Sequence, residues 1–505
     1  MTRIAHIGNN LTVSEMCPEL MARDSLRYVK NLVRFDPDSK EMTSVLTPVE
    51  KEFFIQLKDG TWTGPRNLAT EDELVAWGYQ IVHLFQPTRS RQMTASAHIE
   101  CRSPEQYAAY DAMVSAQQGT LVLAPGMGKT VLALKYMSER GYPALVIIEN
   151  GGLMEQWYQQ TIRHLQLPSC AVAKMYQKEG LHDWKNKAVV IAMYKSLLNR
   201  LADGSLPPSF LWHFGTVVWD EAHHTQAFTM SQTLNIFTGA RLALSATPHY
   251  DGREAIYFAH IGPPIFEHRK PDVVPNVSFH PVRIPGIPFW HPGSMQSNVK
   301  MLDFCLNPKA KPQKIVIDGK DKLRVPAIDY LDYVVSVLNP MIEQGHEMLI
   351  IGTRRASMWY LKEKLVGDVG IIDSSVPFSE RADICHKHQV VIASRRIGEE
   401  ALDKPKTTRV VSLTPLGHGA KNAIQQTAGR GTRWLPGKTR TEYHVFFPQG
   451  AYGLSLANGM VTSCLNLGYT IDLPPAKEEK APKSAMNDKA ALGQLQQMQR
   501  MLGPK

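Results

Sequence analysis

The chain has 505 residues, more than a single hydrophobic core ordinarily organises, so its length sets an expectation of about three domains. Apolar content of 43% and charged content of 20% exclude a disordered or collagen-like chain, and no apolar run is long enough to span a bilayer. The net charge of +9 favours a polyanionic partner, and the 6 cysteines, none in a C-x-x-C pair, point away from a disulfide framework or a zinc or iron–sulfur site. With no membrane segment and no apolar signal-peptide core, the expected location is cytoplasmic.

Residues 1–100 read as a small α+β accessory domain. Phe53–Lys58 followed by Asp59-Gly60 is a strand-plus-turn signal. Glu71–Phe85 reads as a helix capped by Thr70 that runs into a short apolar segment. Pro37-Asp38 with Glu50-Lys51-Glu52 lacks the E-x-K spacing of a nuclease. From 101 to 262, short apolar strands alternate with helices, at Thr120–Leu123, Ala144–Ile148, Val189–Ala192, Thr216–Trp219 and Arg241–Leu244. Continuous apolar runs of this length suit a parallel sheet buried on both faces. Residues 263–325, rich in Pro and Gly, read as an irregular connector with room for one hairpin. The alternation resumes over 326–473, with strands at Met348–Ile351, Val369–Ile372, Gln389–Ala393, Arg409–Leu413 and Glu442–Phe447. Residues 474–505 read as a flexible, charged tail that ends in a segment of helical composition, Ala490–Leu502. The expected fold class is α/β, with two tandem parallel-sheet domains after the small N-terminal module.

Strand Thr120–Leu123 runs into Pro125-Gly126-Met127-Gly128-Lys129-Thr130, and a helix follows at Val131–Arg140. Glycines in such a loop let backbone N–H groups approach phosphate oxygens, and the helix N-terminus adds partial positive charge. Lys129 is then placed to reach the β- and γ-phosphates and Thr130 to ligate Mg2+. Leu123 stands where the general G-x-x-x-x-G-K-S/T pattern has its first glycine. Strand Thr216–Trp219 ends in Asp220-Glu221. At the carboxyl end of a parallel strand both carboxylates face the ligand edge, Asp220 suited to hold the metal and Glu221 to polarise an attacking water. Met358-Trp359-Tyr360 reads as core or interface rather than a base-stacking platform.

This set resembles superfamily 2 helicases and translocases of the D-E-x-H type, over residues 100–450 and in the right motif order. Asp220-Glu221-Ala222-His223-His224 and Ala246-Thr247-Pro248 are most similar to the XPB, RadD and type III restriction-subunit branch, near which phage UvsW-like helicases fall. The resemblance implies two RecA-like domains with ATP and Mg2+ between them. It implies an adenine contact for Gln106 within Arg102–Gln106, where the family's aromatic is Glu105, and the other reading of Gln106 is a surface glutamine. It implies coupling roles for His223, Ser245, Ala246 and Thr247. It also implies nucleic-acid backbone contacts from Asn150, Gln156 and Tyr194, although Glu149-Asn150 replaces the usual Pro-Thr.

In the second domain the resemblance implies backbone contacts from Thr353, Arg354 and Ser394. Ala393-Ser394-Arg395-Arg396 with Glu400–Pro405 resembles the family's T-x-n-E-G-x-D-x-P motif with one extra residue, and for Arg395 and Arg396 a solvated edge and a phosphate contact are equal alternatives. Gln426, Gly429, Arg430 and Arg433 match the arginine-finger motif without gaps, Arg430 and Arg433 being the catalytic arginines. The expected activity is an ATP-dependent DNA helicase, with 3′-to-5′ polarity, that remodels branched or single-stranded DNA. Recombination or replication proteins are its expected partners, and the host cytoplasm its location if phage-encoded. RNA stays open as a substrate. A duplex DNA translocase without strand separation and a non-catalytic nucleic-acid-binding scaffold are the alternatives.

Overall fold

A computed structural model describes residues 3–36, 41–84, 93, 99–176, 184–226, 228–234, 236–246, 253–284, 305–317, 320–400, 402, 404–416, 421–432, 435, 437–438, 440–449 and 451–472. The chain divides into two units, Met1–Ala124 with Gly128–Arg269, and Pro125–Met127 with Lys270–Lys505. The tail 474–505, with the helical pattern at Ala490–Leu502, lies outside the described residues.

The N-terminal module holds β1 (Arg3–Ile7), β2 (Leu11–Val13), the long hairpin of β3 (Leu26–Asp36) and β4 (Glu41–Lys51), then β5 (Ile55–Gln56), β6 (Trp62–Gly64) and β7 (Tyr79–His83), with helices α1 (Pro18–Arg23) and α2 (Glu71–Ala76). Its sheet runs β5-β6-β2-β1-β7 around a core that includes Ala5, Leu11, Val13, Leu20 and Leu74. The helix expected over Glu71–Phe85 is shorter. Thr70 and Glu73 form a capping box at its start, but it ends at Ala76, and Gly78 at φ +85° turns the chain. From Tyr79 the pattern changes to period two, and β7 pairs in parallel with β1.

The module is fastened to the rest of its unit through main-chain carbonyls. Arg66 donates to the carbonyls of Thr238 at 2.7 Å and Gly239 at 3.1 Å. The Asn67 backbone N–H donates to Ala259 O, and its side chain donates to His260 O. Arg241, fully buried, donates to the carbonyls of Asn9, Phe237 and His260.

The first large sheet contains β8 (Gly119–Leu123), β9 (Ala144–Ile148), β10 (Val172–Met175), β11 (Val189–Met193), β12 (Thr216–Trp219), β13 (Ala240–Ser245) and β14 (Pro264–His268). Its order is β10-β11-β9-β12-β13-β8-β14, and every pairing is parallel. All residues of β8, β9 and β12 are buried, which is why these strands read as unbroken apolar runs. Helices α3 (Pro104–Ala116), α4 (Lys129–Arg140), α5 (Gly151–Leu165), α6 (Tyr194–Ala202), α7 (Phe228–Ser231) and α8 (Glu254–Ile261) accompany it.

The second unit repeats the plan with β15 (Pro275–Val282), β18 (Met348–Gly352), β19 (Val369–Ile372), β20 (Val390–Ser394), β21 (Arg409–Ser412), β22 (Thr441–Pro448) and β23 (Thr470–Asp472), in the order β19-β20-β18-β21-β22-β15-β23 and all parallel. The short hairpin of β16 (Gln313–Ile317) and β17 (Lys320–Arg324) stands apart from it. Helices α9 (Pro326–Glu343), α10 (Arg355–Lys364), α11 (Phe378–Lys387), α12 (Arg395–Glu400), α13 (Lys421–Gly429) and α14 (Ala451–Asn466) follow in chain order.

Part of the stretch expected to be an irregular connector is therefore sheet. β14 tolerates Pro264 because it opens an edge strand. β15 tolerates Pro281 because its short neighbour β23 pairs only with Asn276–Ser278, leaving that side of Pro281 without a ladder. The hairpin allowed for in the same stretch is present as β16–β17.

Candidate nucleotide site and nucleic-acid contact residues

Because the first sheet is all parallel, the carboxyl ends of β8, β9, β11, β12 and β13 share one edge. That edge receives the phosphate-loop segment, Glu149-Asn150, Tyr194, Asp220-Glu221 and Ser245-Ala246 in turn. In open α/β sheets this is the edge at which ligands bind.

The loop backbone is shaped for an anion. Gly126 and Gly128 both sit at φ +83°, and Pro125 is half-buried while Met127 is fully buried. Gly128 is the N-cap of α4, and no side chain caps that helix end. Such a turn into a helix presents backbone N–H groups to a phosphate. A Cβ on Gly128 would lie 2.5 Å from Gln106 Nε2, so the loop needs glycine for space as well as for φ. Gln106 is itself buried, and its Oε1 accepts from the Arg102 backbone N–H at 2.9 Å. Lys129 Nζ donates to Leu123 O at 3.1 Å, and Thr130, next on α4, is half-buried.

The acidic pair is held from two directions. Asp220 Oδ2 accepts from Trp157 Nε1 at 2.7 Å, and Oδ1 accepts from the Glu221 N–H at 3.0 Å. Burial and the neighbouring Glu221 charge push the Asp220 carboxyl up to about 6, against the pull of the Trp157 N–H and the Lys129 charge. Glu221 adopts φ +48°, a left-handed conformation that is uncommon for a residue with a Cβ and that gathers at functional turns.

His223 Nδ1 lies 3.2 Å from Ser245 Oγ and 3.5 Å from Glu221 Oε2. The end of β12 is thereby connected to the end of β13, where Ser245 and Ala246 are buried. Thr247, the next member of that motif, lies outside the described residues.

A magnesium ion suits these residues. A buried acid whose proton affinity is raised by burial and by a neighbouring carboxylate is relieved by a cation, and Mg2+ is commonly bound by one carboxylate, one hydroxyl and phosphate oxygens rather than by an all-protein cage. No group of three or more His, Cys, Asp and Glu side chains forms a metal site among the described residues.

Two members of this cluster are additional to the residues singled out in the sequence. Trp157 is fully buried on α5 in line with Leu153 and Thr161, and a buried indole N–H requires a partner, here Asp220. Glu149 Oε2 pairs with His224 Nε2 at 3.3 Å, so the Glu that replaces the family's Pro meets the second His of the D-E-x-H-H run.

The residues expected to touch nucleic acid lie at carboxyl edges in each unit. Asn150 caps α5, its Oδ1 accepting from the Gly152 and Leu153 N–H groups. Gln156 is half-buried, with an Oε1 that has no hydrogen-bond partner, and Tyr194 opens α6 packed against the core of its unit. In the second unit Gly352 and Ser394 are cross-strand partners, so Thr353 and Arg354 leave β18 beside Ser394 at the end of β20. The Thr353 hydroxyl is buried with no hydrogen-bond partner, and Arg395 is half-buried at the start of α12. Further along, Gln426 is half-buried on α13, and Arg430 follows with an Nη1 donating to Leu402 O at 2.9 Å. Arg433 lies outside the described residues, as does the side chain of Arg396.

Two successive all-parallel sheets, the first bearing a phosphate loop and an acidic pair on its carboxyl edge, define the tandem RecA-like class of phosphate-loop proteins. The solved structure of S. cerevisiae Dbp5 bound to RNA and ADP BeF3 shares this fold, with a TM-score of 0.54 at 12% identity over 79% of this chain and 94% of that one. Residues 87–250 match the family of the type III restriction enzyme, res subunit. The putative DNA 3′-5′ helicase Rad25 of Haloarcula marismortui is 33% identical over 150 residues, 29% of this chain and 23% of that protein. The DNA 3′-5′ translocase XPB2 of Sulfurisphaera tokodaii is 22% identical over 353 residues, 64% of this chain and 76% of that protein. The chain spans about a quarter of the length of the Rad25 relatives it matches. Over these residues the chain is similar to superfamily 2 proteins of the branch that holds the XPB-type and type III restriction-subunit proteins. Among the described residues no helix is long and apolar enough to cross a membrane.

Proposed function

We propose that the protein is an ATP-dependent DNA helicase or translocase. The observation that carries this is the cluster of Lys129, Asp220, Glu221, His223 and Ser245 at one sheet edge, in which His223 ties the acidic pair to the strand end that follows it. The likeness to the putative DNA 3′-5′ helicase Rad25 and to the DNA 3′-5′ translocase XPB2 supports DNA as the track and 3′-to-5′ as the polarity.

In this reading the N–H groups of residues 126–130 and the Lys129 ammonium bind the phosphates, and Gln106 orients the base. Thr130 and Asp220 hold Mg2+, which supplies charge neutralisation on the transferred phosphoryl group. Glu221 accepts a hydrogen bond from the attacking water and aligns it. Arg430 and Arg433 bring positive charge to the transition state. His223 passes the state of the Glu221 end of β12 to Ser245 and the segment beyond it. Asn150, Gln156, Tyr194, Thr353, Arg354 and Ser394 hold the strand through its backbone, which gives grip without sequence preference. Remodelling of branched DNA in recombination or repair, in the cytoplasm, is the finer role we assign.

ATP hydrolysis measured without nucleic acid and with single-stranded DNA, duplex DNA, a forked junction or single-stranded RNA, alongside Glu221→Gln, tests the reading. Stimulation by forked or single-stranded DNA that Glu221→Gln abolishes is the expected result. Absence of hydrolysis under every condition would overturn it in favour of a nucleic-acid-binding scaffold.

The match to a restriction subunit and the relative named a translocase favour one alternative, a motor that moves on duplex DNA without separating it. Displacement of a triplex-forming strand with no unwinding of a fork would select that alternative.

A further inference from the structure

In the second unit the amino ends of β18, β21 and β22 also share an edge, opposite the one that carries Thr353, Arg354 and Ser394. Met348 pairs with Arg409, and Arg409 with Glu442, so the residues at the start of these strands lie side by side. A five-residue strand spans about 16 Å, which separates the two edges. At the amino edge is a cavity of about 470 Å³, lined by His346, Lys406, Arg409, Lys438, Arg440 and Glu442 among others.

The cavity wall carries four cations against one carboxylate, a formal excess of three positive charges among its lining side chains. Several of them are held in position. Arg409 donates from Nη2 to His346 Nε2 at 3.1 Å and from Nη1 to Thr408 O at 3.2 Å. Its Nε lies 3.0 Å from Glu442 Oε2, while the other Glu442 oxygen faces Arg440 Nε at 3.3 Å. Lys438 Nζ donates to Pro405 O at 3.1 Å. His346 accepts from Arg409, and its affinity for a proton is lowered by burial and by the Arg409 charge. Glu442 is shared by two arginines and by His444, whose Nε2 is 3.4 Å away, so it cannot neutralise the whole wall.

A guanidinium held in place, as at Arg409, beside further cationic side chains suits phosphate, which accepts from several N–H groups at once. The space exceeds what a single phosphate group requires. We propose that this cavity is a second anion site, for the phosphate groups of a small polyphosphate or of a nucleic-acid backbone, separate from the phosphate loop. The proposal stands on the charge and shape of this edge and does not depend on the function proposed above.

The test uses the full chain carrying Lys129→Ala, which weakens phosphate binding at the first loop, with and without Lys406→Ala and Arg440→Ala. Both of these side chains are exposed, so the added substitutions leave the fold intact, and an unchanged melting temperature verifies that. Inorganic pyrophosphate is titrated by calorimetry, and a labelled oligothymidine by anisotropy across a salt series. Loss of pyrophosphate affinity by tenfold or more in the double substitution identifies a free polyphosphate site. Unchanged pyrophosphate binding with weaker oligothymidine binding, and a salt slope reduced by about two, identifies the backbone as the ligand. Equal affinity of both backgrounds for both probes overturns the proposal. If Lys129→Ala does not fold, the same comparison in the unsubstituted chain reads the loss of a second pyrophosphate per chain.

Discussion

Trp157 and Asp220 meet through a 2.7 Å hydrogen bond from the indole Nε1 to the carboxylate Oδ2, both side chains buried. The bond joins α5 to the carboxyl end of β12. It opposes the effect of burial, which pushes the Asp220 carboxyl up, and so favours the charged form that a metal requires. Trp157 acts through Asp220 and is a positioning residue.

Trp157→Phe keeps the ring and removes the donor. A hydrogen bond to a charged group contributes about 1.5–3 kcal/mol. The Asp220 carboxyl then rises above about 6, and less of it is ionised at a given pH. The acid limb of the ATPase pH profile is expected to move to higher pH, with restoration of activity toward alkaline pH. A profile identical to that of the parent would remove Trp157 from this role.

Asp220 also makes stability depend on pH. Its carboxyl is pushed from an ordinary value of 3.8 to about 6, so the folded chain holds the proton more tightly than the unfolded chain. The contribution is fully present below 3.8 and is lost as pH rises through about 6. Asp220→Asn removes that loss while deleting the metal ligand. The variant is expected to melt higher than the parent at pH 8, by about 3 °C or more, with the difference shrinking toward pH 4, and to be inactive. Calorimetry across that range checks the sign.

Gly128→Ala places a Cβ 2.5 Å from Gln106 Nε2 and imposes a side chain at φ +83°. A strained left-handed residue costs about 1–2 kcal/mol before the clash is counted. Nucleotide affinity, read with a fluorescent ATP analogue, is expected to fall by at least tenfold.

Arg241→Met strips three main-chain carbonyls of their donor inside the first unit. Each buried carbonyl left without a donor costs about 1–3 kcal/mol. Limited proteolysis is expected to release the N-terminal module faster than in the parent. An unchanged cleavage pattern would mean that Arg66 and Asn67 hold it alone.

Five strands of each large sheet were legible because burial on two faces leaves them mostly apolar, as in Ala144–Ile148 and Thr216–Trp219. Asp220-Glu221 and the phosphate loop were legible because their chemistry needs adjacent residues. What failed depended on contacts distant in sequence. Tyr79–His83 is a strand because β1 lies beside it, and Pro275–Val282 is one because β22 and β23 flank it. Trp157 belongs with Asp220 across 63 positions, a distance no local pattern spans.

Arg66, Asn67 and Arg241 all donate to the backbone carbonyls of their neighbours. Every residue type offers the same carbonyl, so substitutions at Asn9, Thr238, Ala259 and His260 leave these acceptors in place. The selective burden falls on the three donors, and mutational scanning should find them intolerant among permissive neighbours.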